Sequence, residues 1–354
     1  MDVWYATRGD VKSALSVADT ARANTLVDSK LAAATRSVEG RLHRRFYPER
    51  KTLTFDWPNR SGAPTWTLDL GDNELISVET LTAGGTVISS SDYFLRRADD
   101  KDEAPYNLIE IDLSSSAAFQ SGDTFQRAIS ILGVFGHNAT DTSLASAALS
   151  ANINDAQNII TLEPSDGVLS IDVGSLVLCG TERMIVRDRR YADTAINLTG
   201  ALTAQQSNVT VPVGDGTAFV VGESILVDAE TMRIDQIAGN NLIVTRAWDG
   251  SVLDDHSVGA DVYASRSFLV ARNALGTSAA AHTDGDAVYA HNFPALITEL
   301  TIAEAVVMLE QGASGYARTV GSGSNARETA GKGLEDLREQ AYTRYGRKLR
   351  SVAV

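Results

Sequence analysis

The sequence has one cysteine, Cys179, and only five histidines in 354 residues. A single cysteine excludes a disulfide framework within the chain and a cysteine-based zinc cluster, and it fits a reducing compartment. Five histidines supply few ligands for any other metal site. We therefore expect no metal and no cofactor.

Long apolar runs are also missing. The longest, such as residues 305–309, fall far below the roughly 18–20 residues that span a bilayer. The N-terminus has no basic segment followed by an apolar core, so no secretory signal is expected. These absences predict a protein that does not contact a membrane and stays where it is made.

No catalytic motif is visible: the chain lacks a Walker loop, a Gly-x-Ser-x-Gly elbow, a His-Glu-x-x-His pair and a Rossmann fingerprint. Acidic clusters at residues 99–103 and 254–255 lack the ligand spacing of an EF-hand loop, which favours solvated surface over a cation site. We expect a protein that is not an enzyme.

Positive charge is scarce, because 31 Lys+Arg oppose 45 Asp+Glu and the formal net charge is −14. Such a balance argues against a general nucleic-acid-binding surface, which needs a basic face. Residues 140–292 hold 19 acidic residues and 8 Arg, a local charge of −11, whereas residues 318–354 hold 8 basic and 4 acidic residues, a charge of +4. An acidic middle is thus followed by a basic tail.

Helical spacing of apolar residues occurs at both ends of the chain. Thr7 and Asp10 form a capping box before a short helix, a second helix is predicted over residues 24–46, and Pro48 stops it. A further helix is predicted over residues 293–317, and a helical hairpin with the second helix is expected.

Between the helices the period changes to two, which predicts a mostly antiparallel β segment from residue 52 to residue 137. Gly84-Gly85 indicates a hairpin turn within it. The predicted strands cover residues 52–57, 66–70, 76–81, 87–88, 93–96, 106–113 and 128–134.

The middle of the chain contains an internal repeat. Residues 246–264 match residues 272–290 at an offset of 26, and residues 221–234 match residues 173–186 at an offset of 48. Both offsets arise together if one β module was inserted into a loop of a similar one. We therefore expect the strand containing residues 173–178 to pair with a partner beyond residue 266.

Four residues recur at equivalent places in this repeat: Glu182, Glu230, His256 and His282. They are either metal ligands or turn residues that satisfy backbone groups. The second interpretation is favoured, because no second ligand stands at zinc-like spacing.

The order of elements in the first 139 residues, together with the helix after Pro294, resembles the head-to-tail connector (adaptor) proteins of long-tailed bacteriophages. The resemblance covers roughly half of the chain. It is carried by Asp10-Val11-Lys12, Arg44-Arg45-Phe46-Tyr47-Pro48, Phe55-Asp56-Trp57-Pro58, Leu68-Asp69-Leu70-Gly71, Ser77-Val78-Glu79-Thr80-Leu81, Asp92-Tyr93-Phe94-Leu95, residues 105–111 and residues 129–136.

The resemblance implies an α+β fold. A helical connector body with an antiparallel β segment is expected from residues 1–139 and 293–317. An inserted all-β domain, residues 140–292, is expected to hold two nested similar modules, the outer one about 157–190 with 266–290 and the inner one about 207–265. Residues 318–354 are expected to be a flexible linker and a basic docking arm.

The function implied is that of a structural virion protein, assembled in the host cytoplasm and located at the head-tail interface. Its subunits are expected to form a homo-oligomeric ring of twelve between the portal protein and the stopper or tail-terminator protein. Packaged DNA would pass through the lumen without sequence-specific contact, repelled by acids of the body or of the insertion. Those of the body are Asp69, Asp72, Glu74 and Glu79. The residues expected to dock on the portal are Tyr342, Arg344, Tyr345, Arg347, Lys348 and Arg350.

A second function class remains open. The β repeats are also compatible with a receptor- or carbohydrate-binding virion module anchored by the helical part. An aromatic content of 6% weighs against stacking on sugars.

Overall fold

The computed structural model describes residues 3–15, 24–58, 64–97, 105–137, 146–313, 319–320, 327–328 and 332–347. No helix within these ranges is long and apolar enough to cross a membrane. The chain divides into two compact units. Unit 1 comprises Met1–Leu42, Thr142–Ala274 and Ser278–Tyr345, and unit 2 comprises His43–Asp141, Leu275–Thr277 and Gly346–Val354.

The predicted α+β fold with a helical connector body is wrong. Antiparallel sheets dominate, with 36% strand and 25% helix, and the largest sheet has ten strands. The physical reason lies in unit 2, where two sheets bury their apolar faces in a core of their own, so that this part of the supposed body is built from sheets.

Unit 1 contains the helices α1 (Arg8–Ala14), α2 (Asn24–Leu42), α3 (Asp166–Leu169), α4 (Ala295–Ala313) and α5 (Lys332–Tyr345). The predicted capping box of α1 is confirmed, since Thr7 and Asp10 each accept the other's backbone N–H. Helix α2 ends at Leu42, earlier than predicted, because His43 adopts a left-handed backbone with φ 53°.

Helices α1, α2 and α4 share one apolar core. It includes Val11 of α1, Leu31 of α2 and Ala305 of α4, each of which is fully buried. Helix α5 lies against α4, where Arg338 donates a hydrogen bond to Glu304 at 2.7 Å. The expected association of the second helix with the helix after Pro294 is therefore observed.

The sheets of unit 2 contain seven strands: β1 (Glu49–Phe55), β2 (Thr67–Asp69), β3 (Leu75–Ala83), β4 (Thr86–Ile88), β5 (Tyr93–Arg96), β6 (Leu108–Ile111) and β7 (Ile129–Phe135). They form a four-stranded sheet in the order β1-β7-β3-β4 and a three-stranded sheet in the order β2-β6-β5. Every strand predicted from alternation is present, because alternate residues of both sheets enter the same core.

The ten-stranded sheet of unit 1 is formed by β8 (Ser146–Ala148), β9 (Ile159–Thr161), β10 (Leu176–Cys179), β11 (Glu182–Asn197), β12 (Thr210–Pro212), β13 (Ser224–Val227), β14 (Glu230–Ala238), β15 (Asn241–Thr245), β16 (Asp261–Ala271) and β17 (Ala287–Ala290). A separate hairpin joins β18 (Thr319–Val320) to β19 (Arg327–Glu328).

Two sets of strand pairs in this sheet have the same register, and we call them the outer copy and the inner copy. In the outer copy, β10 pairs with β11 and β17; in the inner copy, β13 pairs with β14 and β16. Cys179 faces Glu182 and Val288, and Val227 faces Glu230 and Val262. The expected pairing of the strand containing Val173–Leu178 with a partner beyond residue 266 is observed.

The long strands β11 and β16 join the copies, because each contributes one half to either copy. The first half of β11 pairs with the second half of β16 in the outer copy. The second half of β11 then runs beside the first half of β16, at Ile196 and Val262, in the inner copy. Each copy has its own apolar core, so the copies meet through shared backbone hydrogen bonds.

Each copy also extends further upstream than the sequence comparison indicates. In the outer copy β8 pairs with β17, and in the inner copy the end of β11 pairs with β16 in the same way. Likewise, β9 pairs with β16 in the outer copy, and β12 pairs with β15 in the inner copy. Ala148 corresponds to Asn197, whereas Ile160 corresponds to Val211, so the offset changes from 49 to 51 between them. This change of offset hides the match in the sequence.

Candidate functional site

The four recurring residues of the repeat lie in two buried clusters of the same construction. The inner cluster is Glu230, Arg246 and His256, and the outer cluster is Glu182, Arg272 and His282. In both, the glutamate begins the second strand of the hairpin. Arg246 directly follows β15 in the inner copy, and Arg272 directly follows β16 in the outer copy. The histidine precedes β16 in the inner copy and β17 in the outer copy.

In the inner cluster, the guanidinium of Arg246 binds the carboxylate of Glu230 in a bidentate manner. Nε and Nη2 donate to the two oxygens at 2.7 and 2.6 Å, and the remaining N–H groups donate to the carbonyls of Thr203, Asn208 and Asp254. His256 Nε2 lies 3.0 Å from Glu230. The side chains of Arg246 and Glu230 are completely buried.

The outer cluster repeats these contacts. Arg272 donates to Glu182 at 2.7 and 2.6 Å and to the carbonyls of Asn154, Gln157 and Ala280, and His282 Nε2 lies 3.0 Å from Glu182. The glutamate of each cluster also accepts backbone N–H groups, from Asn273 and Ala280 in the outer copy.

Electrostatics keep both glutamates ionised. Burial raises the pKa of Glu230, but hydrogen bonds from Arg246, from backbone N–H groups and from His256 outweigh it and lower the pKa to about 2. The pKa of Glu182 is lowered in the same way, against its burial, by Arg272 and His282. A carboxylate held in this state is a poor general base at neutral pH.

The clusters therefore act on the fold. Each one ties a hairpin to two loops through charge-assisted hydrogen bonds, and its polar groups satisfy buried backbone groups. The interpretation of these residues as groups that satisfy the backbone agrees with the geometry for Glu182 and Glu230, which accept backbone N–H groups. It does not hold for His256 and His282, whose ring nitrogens contact carboxylates instead. Arg246 and Arg272 were visible in the repeat as matched positions, yet their role as partners of the glutamates was missed.

A different group of side chains adjoins the outer cluster. Cys179 Sγ, a ring nitrogen of His282 and a carboxylate oxygen of Asp286 all lie within 4.8 Å of one another. Cys179 is fully buried, and burial, with the nearby Asp286 and Glu182, raises the pKa of its thiol to about 11. Sequence reasoning missed this group because the cysteine and the other two residues are far apart in the chain.

The residues expected to dock on the portal lie at and beyond the end of α5. Tyr342 and Arg344 are exposed, Tyr345 is half-buried beside the Arg344 guanidinium, and Arg347 follows the helix. Lys348 and Arg350 lie outside the described residues. Because Leu334 and Ala341 are buried, α5 is a packed helix along its apolar side and exposes its basic end.

Arg347 lies with the acids of unit 2. Its guanidinium is 3.6 Å from Asp72 and 3.5 Å from Glu74. Burial raises the pKa of Glu74, but a hydrogen bond with His137 and the charges of Arg44 and Arg347 lower it below its usual value. Arg347 is therefore already held by carboxylates of its own chain.

Three of the four acids expected to face the channel have a basic partner within the chain, namely Asp72, Glu74 and Glu79. Glu74 is paired as described above, and Glu79 forms a bidentate ion pair with Arg50. Asp69 and Asp72 are exposed, and the Asp72 side chain is 89% exposed.

Comparison with known proteins does not assign the chain to a family. The chain matches no family model, no curated protein and no solved structure.

Proposed function

We propose that this chain is a structural virion protein, a head-to-tail connector subunit that forms a ring between the portal and the stopper or tail proteins. Twelve subunits would surround the DNA channel. The chain would have no catalytic role, and it would reach the virion by assembly in the host cytoplasm.

The observation that carries the proposal is the order of elements. The segments by which the sequence resembles connectors follow one another in the order α1, α2, the seven strands of unit 2 and α4, although residues 44–48, which were expected to end the second helix, lie beyond α2. The β copies interrupt this series between β7 and α4. A connector carrying an insertion at one point accounts for both facts.

The buried polar groups support a structural role. Glu182 and Glu230 each bind an arginine, a histidine and backbone N–H groups. A third buried ion pair joins Glu223 to Arg266 at 2.8 Å. Glutamates committed in this way stiffen the β copies. Stiffness suits a subunit that has to keep its shape while DNA passes through a ring.

The surface charge also supports the proposal. Exposed Asp69 and Asp72, repeated around a ring, would repel the duplex and let it slide. The basic end of α5, with Arg344 exposed, would meet an acidic surface on the portal.

The test is association of the full chain with the portal protein of the same phage, measured by sedimentation at moderate salt. The proposal expects a complex in which twelve chains accompany one portal. A chain that stays monomeric or trimeric beside the portal, and does not co-sediment, would overturn it and favour a receptor-binding module.

A further inference from the structure

The two copies differ in one local respect: the environment of the histidine Nδ1 atom. In the inner copy, His256 Nδ1 lies 2.8 Å from the carboxylate of Asp228. In the outer copy Gly180 stands at the place of Asp228, and the nearest carboxylate oxygen, from Asp286, is 4.0 Å from His282 Nδ1. The Nδ1 atom of His282 thus lacks the close carboxylate contact that His256 makes with Asp228.

Of the two copies, only the outer one has side chains with donor atoms at two further positions near the histidine ring. Cys179 corresponds to Val227, and Asp286 corresponds to Ala260. Neither valine nor alanine has a side-chain donor atom. A sulfur, a nitrogen and an oxygen therefore converge only where the hydrogen-bond partner of the histidine is missing.

We propose that the outer copy binds one zinc-type divalent ion through Cys179 Sγ, His282 Nδ1 and the carboxylate of Asp286, with water as the fourth ligand. Thiolate, imidazole and carboxylate are the three side-chain ligand types of zinc, and this mixed set is typical of borderline divalent ions rather than of Mg²⁺ or Ca²⁺.

Glu182 prepares the histidine for this role. Its carboxylate lies 3.0 Å from His282 Nε2, and a proton on Nε2 leaves the lone pair on Nδ1, the nitrogen that is 4.0 Å from Asp286. A carboxylate behind a ligating histidine is the usual second partner in zinc sites. Asp286 is oriented as well, because its carboxylate accepts the backbone N–H of Thr283 at 2.8 Å.

Binding requires a small contraction. Zinc bonds of about 2.0–2.3 Å place tetrahedral ligand atoms about 3.5 Å apart, whereas the three atoms here lie within 4.8 Å of one another. The Asp286 side chain is 44% exposed, so it is the ligand on the solvent side of the group.

The chemistry balances by loss of one proton. The thiol of Cys179 is protonated at neutral pH, since burial, Asp286 and Glu182 raise its pKa while only Arg272 lowers it. Formation of the metal–sulfur bond releases that proton to solvent, and the hydrated ion loses all of its waters except the one that stays as the fourth ligand. The bound ion would tie the β10 hairpin to the loop that precedes β17.

The experiment is titration of the full chain with Co²⁺, which reports thiolate and tetrahedral coordination by absorption, followed by displacement with Zn²⁺. We expect saturation at one equivalent, with a thiolate-to-cobalt charge-transfer band that Zn²⁺ removes. Cys179→Val and Asp286→Ala introduce the residues of the inner copy, which fold in the same surroundings, so both variants should stay folded by circular dichroism. The first should lose the charge-transfer band, and the second should bind at least about tenfold more weakly.

A transplant sharpens the test. The triple variant Val227→Cys, Asp228→Gly, Ala260→Asp gives the inner copy the outer residues and should bind a second equivalent of Co²⁺. Absence of saturable Co²⁺ and Zn²⁺ binding by the unmodified chain, or an unchanged charge-transfer band in Cys179→Val, would overturn the proposal.

Discussion

Gly180 and Asp228 occupy the same hairpin position in the two copies and share the left-handed backbone, with φ 57° and 52°. Glycine adopts this conformation without strain, and aspartate is among the residues that tolerate it best. Asp228 uses its side chain to contact His256 at 2.8 Å, a contact that Gly180 cannot make with His282. The residue at this one hairpin position therefore decides whether the Nδ1 atom of the histidine has a carboxylate in hydrogen-bond contact, as in His256, or not, as in His282.

The inner cluster should contribute strongly to stability. Glu230→Gln leaves the Arg246 guanidinium buried without its counter-charge, which should lower the free energy of unfolding by about 3–5 kcal/mol. Denaturant unfolding followed by circular dichroism measures the loss. Asp235→Asn, which breaks the exposed pair with Arg233, is the matched control and should change stability by less than about 1 kcal/mol. Equal effects of the two variants would contradict the role assigned to the cluster.

Acid should remove the same contribution. The pKa of Glu230 is depressed in the folded chain, from a reference value of 4.5 to about 2, so the unfolded chain binds more protons in that interval. Stability from this group is complete above about pH 4.5 and falls as the pH drops toward 2. Unfolding free energies measured between these values should fall less steeply for Glu230→Gln than for the unmodified chain. Parallel curves would show that Glu230 does not titrate as described.

The basic end of α5 should bind the portal. Arg344→Glu combined with Tyr342→Ala changes two exposed side chains, so the fold should persist while co-sedimentation with portal falls by at least about tenfold, the scale of a lost hot spot. Arg127→Glu, an exposed charge reversal in unit 2, is the control and should bind as before. Undiminished binding of the double variant would remove α5 from the docking surface.

The nesting of the copies predicts which excision the chain tolerates. Arg190 and Ser267 face each other across β11 and β16, so replacing residues 191–266 by a two-residue Asn-Gly turn should leave a folded outer copy. Excising residues 207–265 should cause aggregation, because it leaves the second half of β11 without its partner. Solubility and circular dichroism of the two deletion proteins give the result. The opposite ranking would show that the copies are not joined in this way.

Local patterns revealed much of the secondary structure, and tertiary pairing decided the rest. Alternation located the strands of unit 2 because one face of each sheet is buried, and the repeat offsets indicated that β10 pairs with β17. The joining of both copies into a single ten-stranded sheet escaped prediction because it depends on β11 and β16 being shared between the copies. The grouping of Cys179 with His282 was equally hidden, since only the folded hairpin brings them together.

Electron microscopy of the full chain mixed with its portal protein would decide whether the chain is a connector. A connector should form twelvefold rings stacked on the portal axis, with the central channel open. Portal particles free of added density, beside separate monomers or trimers of this chain, would contradict the connector function.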